Sequence, residues 1–456
     1  MDCLKLYPTS SLRGRIVLPA SKSISGRALI INALSGSAMP PENLSDSDDT
    51  EAMLRALASL GPTPNPSLAG RGGDTTRRPY TPIPTREEPE KGQEASPIDI
   101  GAAGTAMRFL TAYLSVTPGK HVITGSERMR HRPISILVDA LRQLGADITY
   151  EGEEGFPPLR IVGKSGLEGG ALTVAGGVSS QFISALLMIA PTLTRGLRLT
   201  LTGEIASRPY LDMTMSMMRD FGAKAEWLGK DVIEVQPGSY QQRPYHIESD
   251  WSAASYWYEM VAVSPDADAQ IDLVGLHHDS IQGDSKVWQM FRELGVTTQY
   301  FVEPDGTEVI RLRKGGGVTC HFSCDFTHQP DLAQTLAVTC ALLGVPFHLY
   351  GLHSLRIKET DRIAALMEEL GKVFKMEEGD GELLWEGFYE IGDWEELLYE
   401  PLEFDTYEDH RMAMSLAPVC LRVGGEIRIN NPQVVRKSYP GFWDDLKKVG
   451  FGVVES

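Results

Sequence analysis

Six times along the chain an amphipathic helical pattern closes in a large apolar residue followed by glycine. The segments are TEAMLRALASLG to Gly61, PISILVDALRQLG to Gly145 and YLDMTMSMMRDFG to Gly222. They continue with DSKVWQMFRELG to Gly295, TDRIAALMEELG to Gly371 and PGFWDDLKKVG to Gly450. In the second, Ile134, Leu137, Val138, Leu141 and Leu144 share one helix face. The closing glycine suits a left-handed C-cap, where a Cβ is penalised. Successive glycines are 84, 77, 73, 76 and 79 residues apart. So regular a period means a duplicated supersecondary unit.

Each unit carries a second, more apolar helix. These are expected at 21–34, 103–114, 179–190, 249–262, 330–343 and 407–419. Short β-like runs lie between them: HVITG, LRIVG, LRLTLTG, EVIRLR and EIRIN. The unit therefore reads as strands plus two helices, an α/β fold. It is too small for a secure core of its own, so grouping is expected. The repeats alone leave open six domains, one ring or two groups of three.

Two stretches break the repeat. Residues 62–97 hold eight prolines and no sustained apolar period, and read as a long surface insertion. Residues 377–400 hold ten Asp/Glu and no Lys/Arg and read as a solvated acidic excursion, one that Trp385, Phe388, Tyr389, Trp394 and Leu397 are expected to pack partly against the body. These acids supply more than half of the formal net charge of -18. That charge argues against a general nucleic-acid or anionic-membrane binder. No run of 18 apolar residues suggests a membrane span, and MDCLKLYP lacks the plan of a signal peptide. The five cysteines are an odd number in a chain long enough to need no staples, so reduced thiols and a cytoplasmic enzyme are expected. Cys320 and Cys324 have no second Cys/His pair nearby to complete a zinc site.

Basic residues recur where helices begin: Lys22 and Arg27, Arg108, His410 and Arg411, with Lys358 and Arg362 flanking TDRIAALMEELG. A helix N-terminus is already positive, so bases there are mildly unfavourable. Their repetition points to a bound polyanion held by backbone N–H groups and bases together. Ser179, Ser180 and Gln181 open a helix with hydroxyls suited to phosphate, although taken alone a plain serine N-cap is the favoured reading. Asp331 opens a nearly all-apolar helix, and KETDR sets Lys358, Glu359 and Arg362 together. No Walker loop, GxGxxG after a strand, HExxH or GxSxG is present.

The segments SKSISGRALI, DSDDT, AGTAMRFL, RMRHRPI and VSSQFISALLM closely resemble the 3-phosphoshikimate 1-carboxyvinyltransferase family, as do SRPYLDM, QPDLAQ, IKETDR, YEDHRMAM and VVRKSYP. They occur in family order from residue 14 to residue 443. The resemblance implies a two-domain inside-out α/β barrel, each domain built from three βαβαββ-type repeats. It places one domain at 21–245, carrying the 62–97 insertion, and the other at 1–20 with 246–456. The active site would be the interdomain cleft.

The resemblance also implies transfer of enolpyruvyl from phosphoenolpyruvate to the 5-hydroxyl of shikimate 3-phosphate, in the shikimate pathway, with release of phosphate. It implies no metal or organic cofactor, a monomer, and no nucleic-acid or membrane partner. Matched motif by motif, Lys22, Ser23, Arg27, Ser179, Ser180, Gln181, Ser207, Tyr210, Asp331, Ser354 and Lys358 would hold shikimate 3-phosphate. Lys22, Gly104, Arg132, Gln181, Arg362, Arg411 and Lys437 would surround phosphoenolpyruvate. Asp331 would be the base, Glu359 or Lys22 the acid, and His410 an assistant.

Departures from the family pattern are Ala102 for Asn, Phe109 for Pro and Ser354 for Asn. They bear on sensitivity to the inhibitor glyphosate and leave the reaction class standing. Two alternatives are the sister transferase acting on UDP-N-acetylglucosamine and a non-catalytic relative. The first usually carries a loop cysteine, which has no counterpart near 120–132, and it lacks SKSxSxR. Against the second stands the joint retention of Lys22, Asp331, Glu359, Arg362, Arg411 and Lys437.

Overall fold

The computed structural model describes residues 3–37, 39–60, 97–389 and 401–455. The chain divides into two compact units, Met1–Pro19 with Glu248–Ser456, and Ala20–Ile247. One wiring recurs in both. A strand leads through a buried helix to a parallel neighbour, and an amphipathic helix then leads to an antiparallel hairpin. The last strand of the hairpin pairs with the second strand.

In the Ala20–Ile247 unit this pattern appears twice in full. Ile98–Asp99 pairs in parallel with Gly119–Thr124 through helix Gly104–Val116, and helix Ser135–Gln143 leads to Asp147–Tyr150 and Leu159–Gly163. Gly170–Ala175 and Leu197–Thr202 flank helix Ser180–Ile189, and helix Arg208–Asp220 leads to Ala225–Trp227 and Val232–Val235. The first repeat keeps helices Lys22–Leu34 and Asp48–Ser59. Its parallel pair is reduced to a bridge between Glu42 and His246.

The other unit holds three four-stranded sheets of the same order. Two borrow a strand from the chain's start. Arg13–Val17 lies parallel to Gln270–Val274, and Cys3–Tyr7 sits between Ile427–Asn430 and Gly452–Glu455. The unit is therefore closed by residues far apart in sequence. Its core is the buried faces of helices Trp251–Val263, Ala333–Leu343 and His410–Leu416. Full burial of each large apolar side chain is worth about 1.5–3 kcal/mol.

Gly145, Gly222, Gly295 and Gly450 have φ of 97°, 86°, 81° and 99°. They are the left-handed stops that the pattern demands. Gly371 is different: helix Arg362–Gly371 includes it and ends on Lys372 in a right-handed conformation. The Lys372 ammonium is tied to Glu369 and to the Glu403 carbonyl, each at 2.6 Å, which holds the exit without a left-handed residue. Gly61 lies outside the described residues, as does the 62–97 insertion apart from Pro97.

The acidic stretch is corrected in part. Residues 377–389 belong to a β-hairpin, Phe374–Gly379 with Glu382–Tyr389, and 390–400 lie outside the described residues. Leu383 and Trp385 alternate inward, and Trp385 packs on Phe347 and Phe374 at 6.0 and 5.3 Å between ring centroids. Their period of two outweighs the charge run as a structural signal. None of the five cysteines is in a disulfide, and no helix among the described residues is long and apolar enough to cross a membrane.

One buried acid lies in the middle of helix Trp251–Val263. Glu259 is fully buried, and neither carboxyl oxygen has a well-formed hydrogen bond among the described residues. Its polar neighbour, the Thr339 hydroxyl, donates to the Thr335 carbonyl at 2.7 Å. Burial pushes the carboxyl well above the usual range, and Thr339 offsets this only partly. Glu259→Met removes the buried polar group at similar volume, so urea denaturation at pH 8 is expected to show a gain of about 1–3 kcal/mol. A loss of stability would mean that the carboxyl carries a structural bond.

Candidate active site

The larger polar cluster, in the unit that holds Glu248–Ser456, is built from three helix starts. Helix Arg362–Gly371 is capped by Asp361, which accepts from the Ile363 and Ala364 amides at 3.1 Å. Helix His410–Leu416 is capped by Asp409, which accepts from the Arg411 amide at 2.8 Å. Asp331 stands in the 3-10 turn Pro330–Leu332 ahead of helix Ala333–Leu343, one turn earlier than the first helical residue. Capping acids and site bases therefore alternate along the chain, and the mouths face one another.

Asp331 is the hub. Its Oδ1 accepts from Arg362 at 3.0 Å and from Lys358 at 3.4 Å, and its Oδ2 accepts from Arg411 at 2.9 Å. Arg362, 1% exposed, also donates to Asp409 at 2.7 and 3.4 Å and to Glu359 at 2.9 Å. Arg411 further donates to the Tyr256 hydroxyl at 3.4 Å. His410 is buried, with Nδ1 3.7 Å from Asp409. Lys437 ends the 3-10 turn Pro432–Lys437 and donates to the Glu408 carbonyl at 2.7 Å. Ser354 lies in the 3-10 turn His353–Ile357 that delivers Lys358.

Three cations thus face three acids, Asp331, Glu359 and Asp409. Burial alone would push the Asp331 carboxyl up, but Arg411, Lys358 and Arg362 outweigh it and hold it well below the usual range. Burial would pull Arg362 down, and Asp409, Glu359 and Asp331 together lift it above its ordinary value.

Asp284 is a fourth acid that the sequence reading missed. It sits in the turn Gly283–Lys286, 2% exposed, and accepts from the Ser252 hydroxyl at 2.5 Å. Burial first and the Asp331 charge second push it up to about 6, against the Ser252 hydrogen bond. The folded protein therefore holds this proton over a pH range in which the unfolded chain has lost it. The contribution to stability is full below about pH 4, falls as pH rises through about 6, and stays low above. Asp284→Asn keeps an acceptor for Ser252 and removes the titration. Relative to wild type the variant should gain on the order of 2–3 kcal/mol between pH 4 and 7 in urea unfolding. Parallel pH profiles would show that Asp284 ionises normally.

The second cluster belongs to the Ala20–Ile247 unit. Lys22 is the first residue of its helix, and its Nζ lies 3.8 Å from Asp49. Ser21 caps that helix, and the Ser23 carbonyl accepts from Arg27 at 2.9 Å. Arg27 is 2% exposed and also donates to Thr214 at 2.7 Å, Ser184 at 3.1 Å and the Tyr210 carbonyl at 3.5 Å. Among the described residues no carboxylate pairs with it, and burial lowers it to about 10, still charged at neutral pH. Its guanidinium lies 5.4 Å from the Phe109 ring centroid and 6.0 Å from that of Tyr210. Phe109, which departs from the family pattern, forms a wall beside Arg27.

Helix Gly104–Val116 has no side-chain cap, because Ala103 precedes it. The guanidiniums of Arg108 and Arg132 lie beside its first residue. A Cβ on Gly104 would stand 2.5 Å from Arg108 and 2.7 Å from Arg132. Glycine there lets two cations close on a bare helix N-terminus, an arrangement made for an anion. Gln181, in the first turn of helix Ser180–Ile189, donates to Thr105 at 3.1 Å and so ties a second helix mouth to this one. Ser179 caps its helix through the Gln181 amide at 3.4 Å. Ser207 precedes helix Arg208–Asp220 with φ 53°, a left-handed serine buried at 8%. The structure thus gathers Lys358, Glu359, Arg362, Asp331, Arg411, His410 and Lys437 in one unit, and Lys22, Ser23, Arg27, Gly104, Arg132, Ser179, Ser180, Gln181, Ser207 and Tyr210 in the other.

A model of the EPSP synthase (3-phosphoshikimate 1-carboxyvinyltransferase) family matches residues 6–446. The chain belongs to the EPSP synthase family. A 3-phosphoshikimate 1-carboxyvinyltransferase of Bacteroides fragilis is 51% identical over 451 residues, covering 98% of each chain. Its counterpart in Aliivibrio fischeri strain MJ11 is 36% identical, covering 98% of this chain and 100% of that one. The fold also matches a solved EPSP synthase structure from Acinetobacter baumannii, with a TM-score of 0.73 at 22% identity over the full length of both. The fold is thus the mixed α/β architecture of EPSP synthases, with the repeated sheets described above.

Beside the residues to which the family resemblance gives roles, the geometry adds Asp409 and, outside the family-like segments, Asp284, Ser252 and Tyr256. Asp409 adjoins His410 in the sequence and could have been singled out as a cap. The others carry no local signal, because their partners come from distant segments.

Proposed function

We propose that the chain transfers the enolpyruvyl group of phosphoenolpyruvate to the 5-hydroxyl of shikimate 3-phosphate and releases phosphate. The observation that carries this is Asp331, a partly buried carboxylate ringed by Arg362, Arg411 and Lys358, in a chain of the EPSP synthase family. Both substrates are anions, which fits bases at the helix mouths in a chain of net charge -18.

Arg362, Arg411 and Lys437 take the carboxylate and phosphate of phosphoenolpyruvate, together with Lys22, Arg132, Gln181 and the Gly104 helix mouth. Ser23, Arg27, Ser179, Ser180, Gln181, Ser207 and Tyr210 hold shikimate 3-phosphate, with Lys22, Ser354 and Lys358. Held by three cations, Asp331 is a weak base. Substrate anions that draw on the same guanidinium donors loosen that hold, and its proton affinity rises toward the range where general bases work. Asp331 then takes the 5-hydroxyl proton while the oxygen bonds to the vinyl carbon. Glu359 or Lys22 delivers a proton to the methylene, giving a tetrahedral ketal phosphate. In the second step the carbon–phosphate oxygen bond breaks, phosphate leaves, and the new methyl group returns a proton. Acid and base exchange roles between the steps, and the arginines follow the charge to phosphate.

Glyphosate, as an anion, draws on the same cations in this reading, and the departures at Ala102, Phe109 and Ser354 bear on how sensitive the chain is to it. The chain works as a cytoplasmic monomer in this reading. The decisive product is a carboxyvinyl ether on the 5-hydroxyl of shikimate 3-phosphate, read by proton NMR of the reaction mixture. Its absence, with the protein folded, overturns the reading.

A further inference from the structure

Two adjacent residues just before the Asp409 cap are left-handed although neither is glycine. Tyr407 has φ 51° and Glu408 has φ 56°. A non-glycine residue in this region is unfavourable by itself, and two in a row persist only where the surroundings over-determine them. The structure supplies two constraints. From one side, Lys437 holds the Glu408 carbonyl at 2.7 Å. From the other, Glu369 reaches the turn from helix Arg362–Gly371.

Glu369 is 1% exposed, and both of its oxygens are engaged. Oε1 accepts from the Tyr407 hydroxyl at 2.6 Å. Oε2 accepts from the Asp405 amide at 3.2 Å and from the Lys372 ammonium at 2.6 Å. Lys372 in turn donates to the Glu403 carbonyl at 2.6 Å. Glu369 lies seven residues, about two helical turns, beyond Arg362, which grips Asp409. One rigid helix therefore fastens the 403–409 segment at two points, and the left-handed turn lies between them.

We propose that Glu369 is a positioning residue. Its buried carboxylate clamps the Tyr407–Glu408 turn and so sets the place of His410, Arg411 and the carbonyl that Lys437 binds. The inference rests on the function proposed above, in which Arg411 and Lys437 receive phosphoenolpyruvate. Glu369 itself touches no substrate in this account. Released from the clamp, the turn relaxes, and Arg411 loses its aim toward the anion while keeping its charge. The consequence is selective: phosphoenolpyruvate suffers, and shikimate 3-phosphate, held mainly by residues of the other unit, does not.

Steady-state kinetics and backbone hydrogen exchange on the full chain test this with Tyr407→Phe, Glu369→Gln and Glu369→Ala. Tyr407→Phe removes one donor and leaves the ring in place. It should raise KM for phosphoenolpyruvate by about 5- to 10-fold, with KM for shikimate 3-phosphate within about 2-fold of wild type. Exchange at 405–411 should quicken by about 10-fold, without change in the Trp251–Val263 core helix. Glu369→Gln keeps one acceptor oxygen and should fall between wild type and Glu369→Ala. If Glu369→Ala does not fold, the other two variants decide. Unchanged exchange at 405–411 with unchanged KM overturns the clamp. Exchange rising equally throughout, with both KM values untouched, shows a merely structural role and overturns it as well. Absence of turnover in the wild-type protein would sink the functional reading alone, and the exchange at 405–411 would still decide the clamp.

Discussion

Asp331→Asn is expected to lower kcat by about 10²–10⁴-fold, because the reaction loses its base. Asparagine keeps the size of the side chain, and its one amide oxygen can still accept from Arg362 and Lys358, while its NH2 group turns toward Arg411 and accepts nothing, so kcat is to be read on protein shown to be folded. The variant also removes one of the three acids that balance the cations, leaving more positive charge for the substrates. KM for phosphoenolpyruvate should then stay level or fall while kcat collapses. That split separates a lost base from a lost binding contact. Near-normal kcat in a folded Asp331→Asn protein would end the assignment of Asp331 as base.

Arg362→Met should have the largest effect on stability. The guanidinium is 1% exposed and donates to Asp331, Asp409 and Glu359. Removing it leaves Asp409, at 0% exposure, with its capping bond to the Arg411 amide but without its close cation. Breaking a buried ion pair from one side costs about 3–5 kcal/mol. Denaturant midpoints at neutral pH should reveal a loss of this size. Because Arg362 helps to hold the Asp331 carboxyl ionised, the loss should shrink as pH falls through the ordinary carboxylate range. A loss below about 1 kcal/mol, the range of exposed pairs, would show that the network is replaceable by solvent.

The helix pattern was legible where one residue decides a conformation. Gly145, Gly222, Gly295 and Gly450 each end a helical repeat, and each adopts a positive φ. Gly371 broke the rule because a lysine, fastened by Glu369 on its own helix and by the distant Glu403 carbonyl, holds that exit instead. Such a substitute is invisible in a linear pattern. The acidic hairpin shows the same limit from another side. Charge dominated the composition of 377–389, while the inward alternation of Leu383 and Trp385 governed its structure.

The borrowed strands explain why the grouping of repeats could not be read from spacing. Cys3–Tyr7 completes a sheet whose other strands begin at Leu402. The period carries no trace of that pairing, and the family resemblance supplied the grouping instead. In the site, bases at helix mouths were visible as a misfit between charge and macrodipole. Their partners were less so. Asp284 and Ser252 meet across 32 positions, and Arg27 finds Thr214 across 187. At Gly104 the space a Cβ would take is filled by Arg108 and Arg132, and the second of these approaches from 28 residues away.

Phosphate release from phosphoenolpyruvate, followed with shikimate 3-phosphate or with UDP-N-acetylglucosamine as acceptor, tests the central claim most directly. The account predicts release with shikimate 3-phosphate alone. Release with UDP-N-acetylglucosamine alone, or silence with both acceptors from a folded protein, would contradict it.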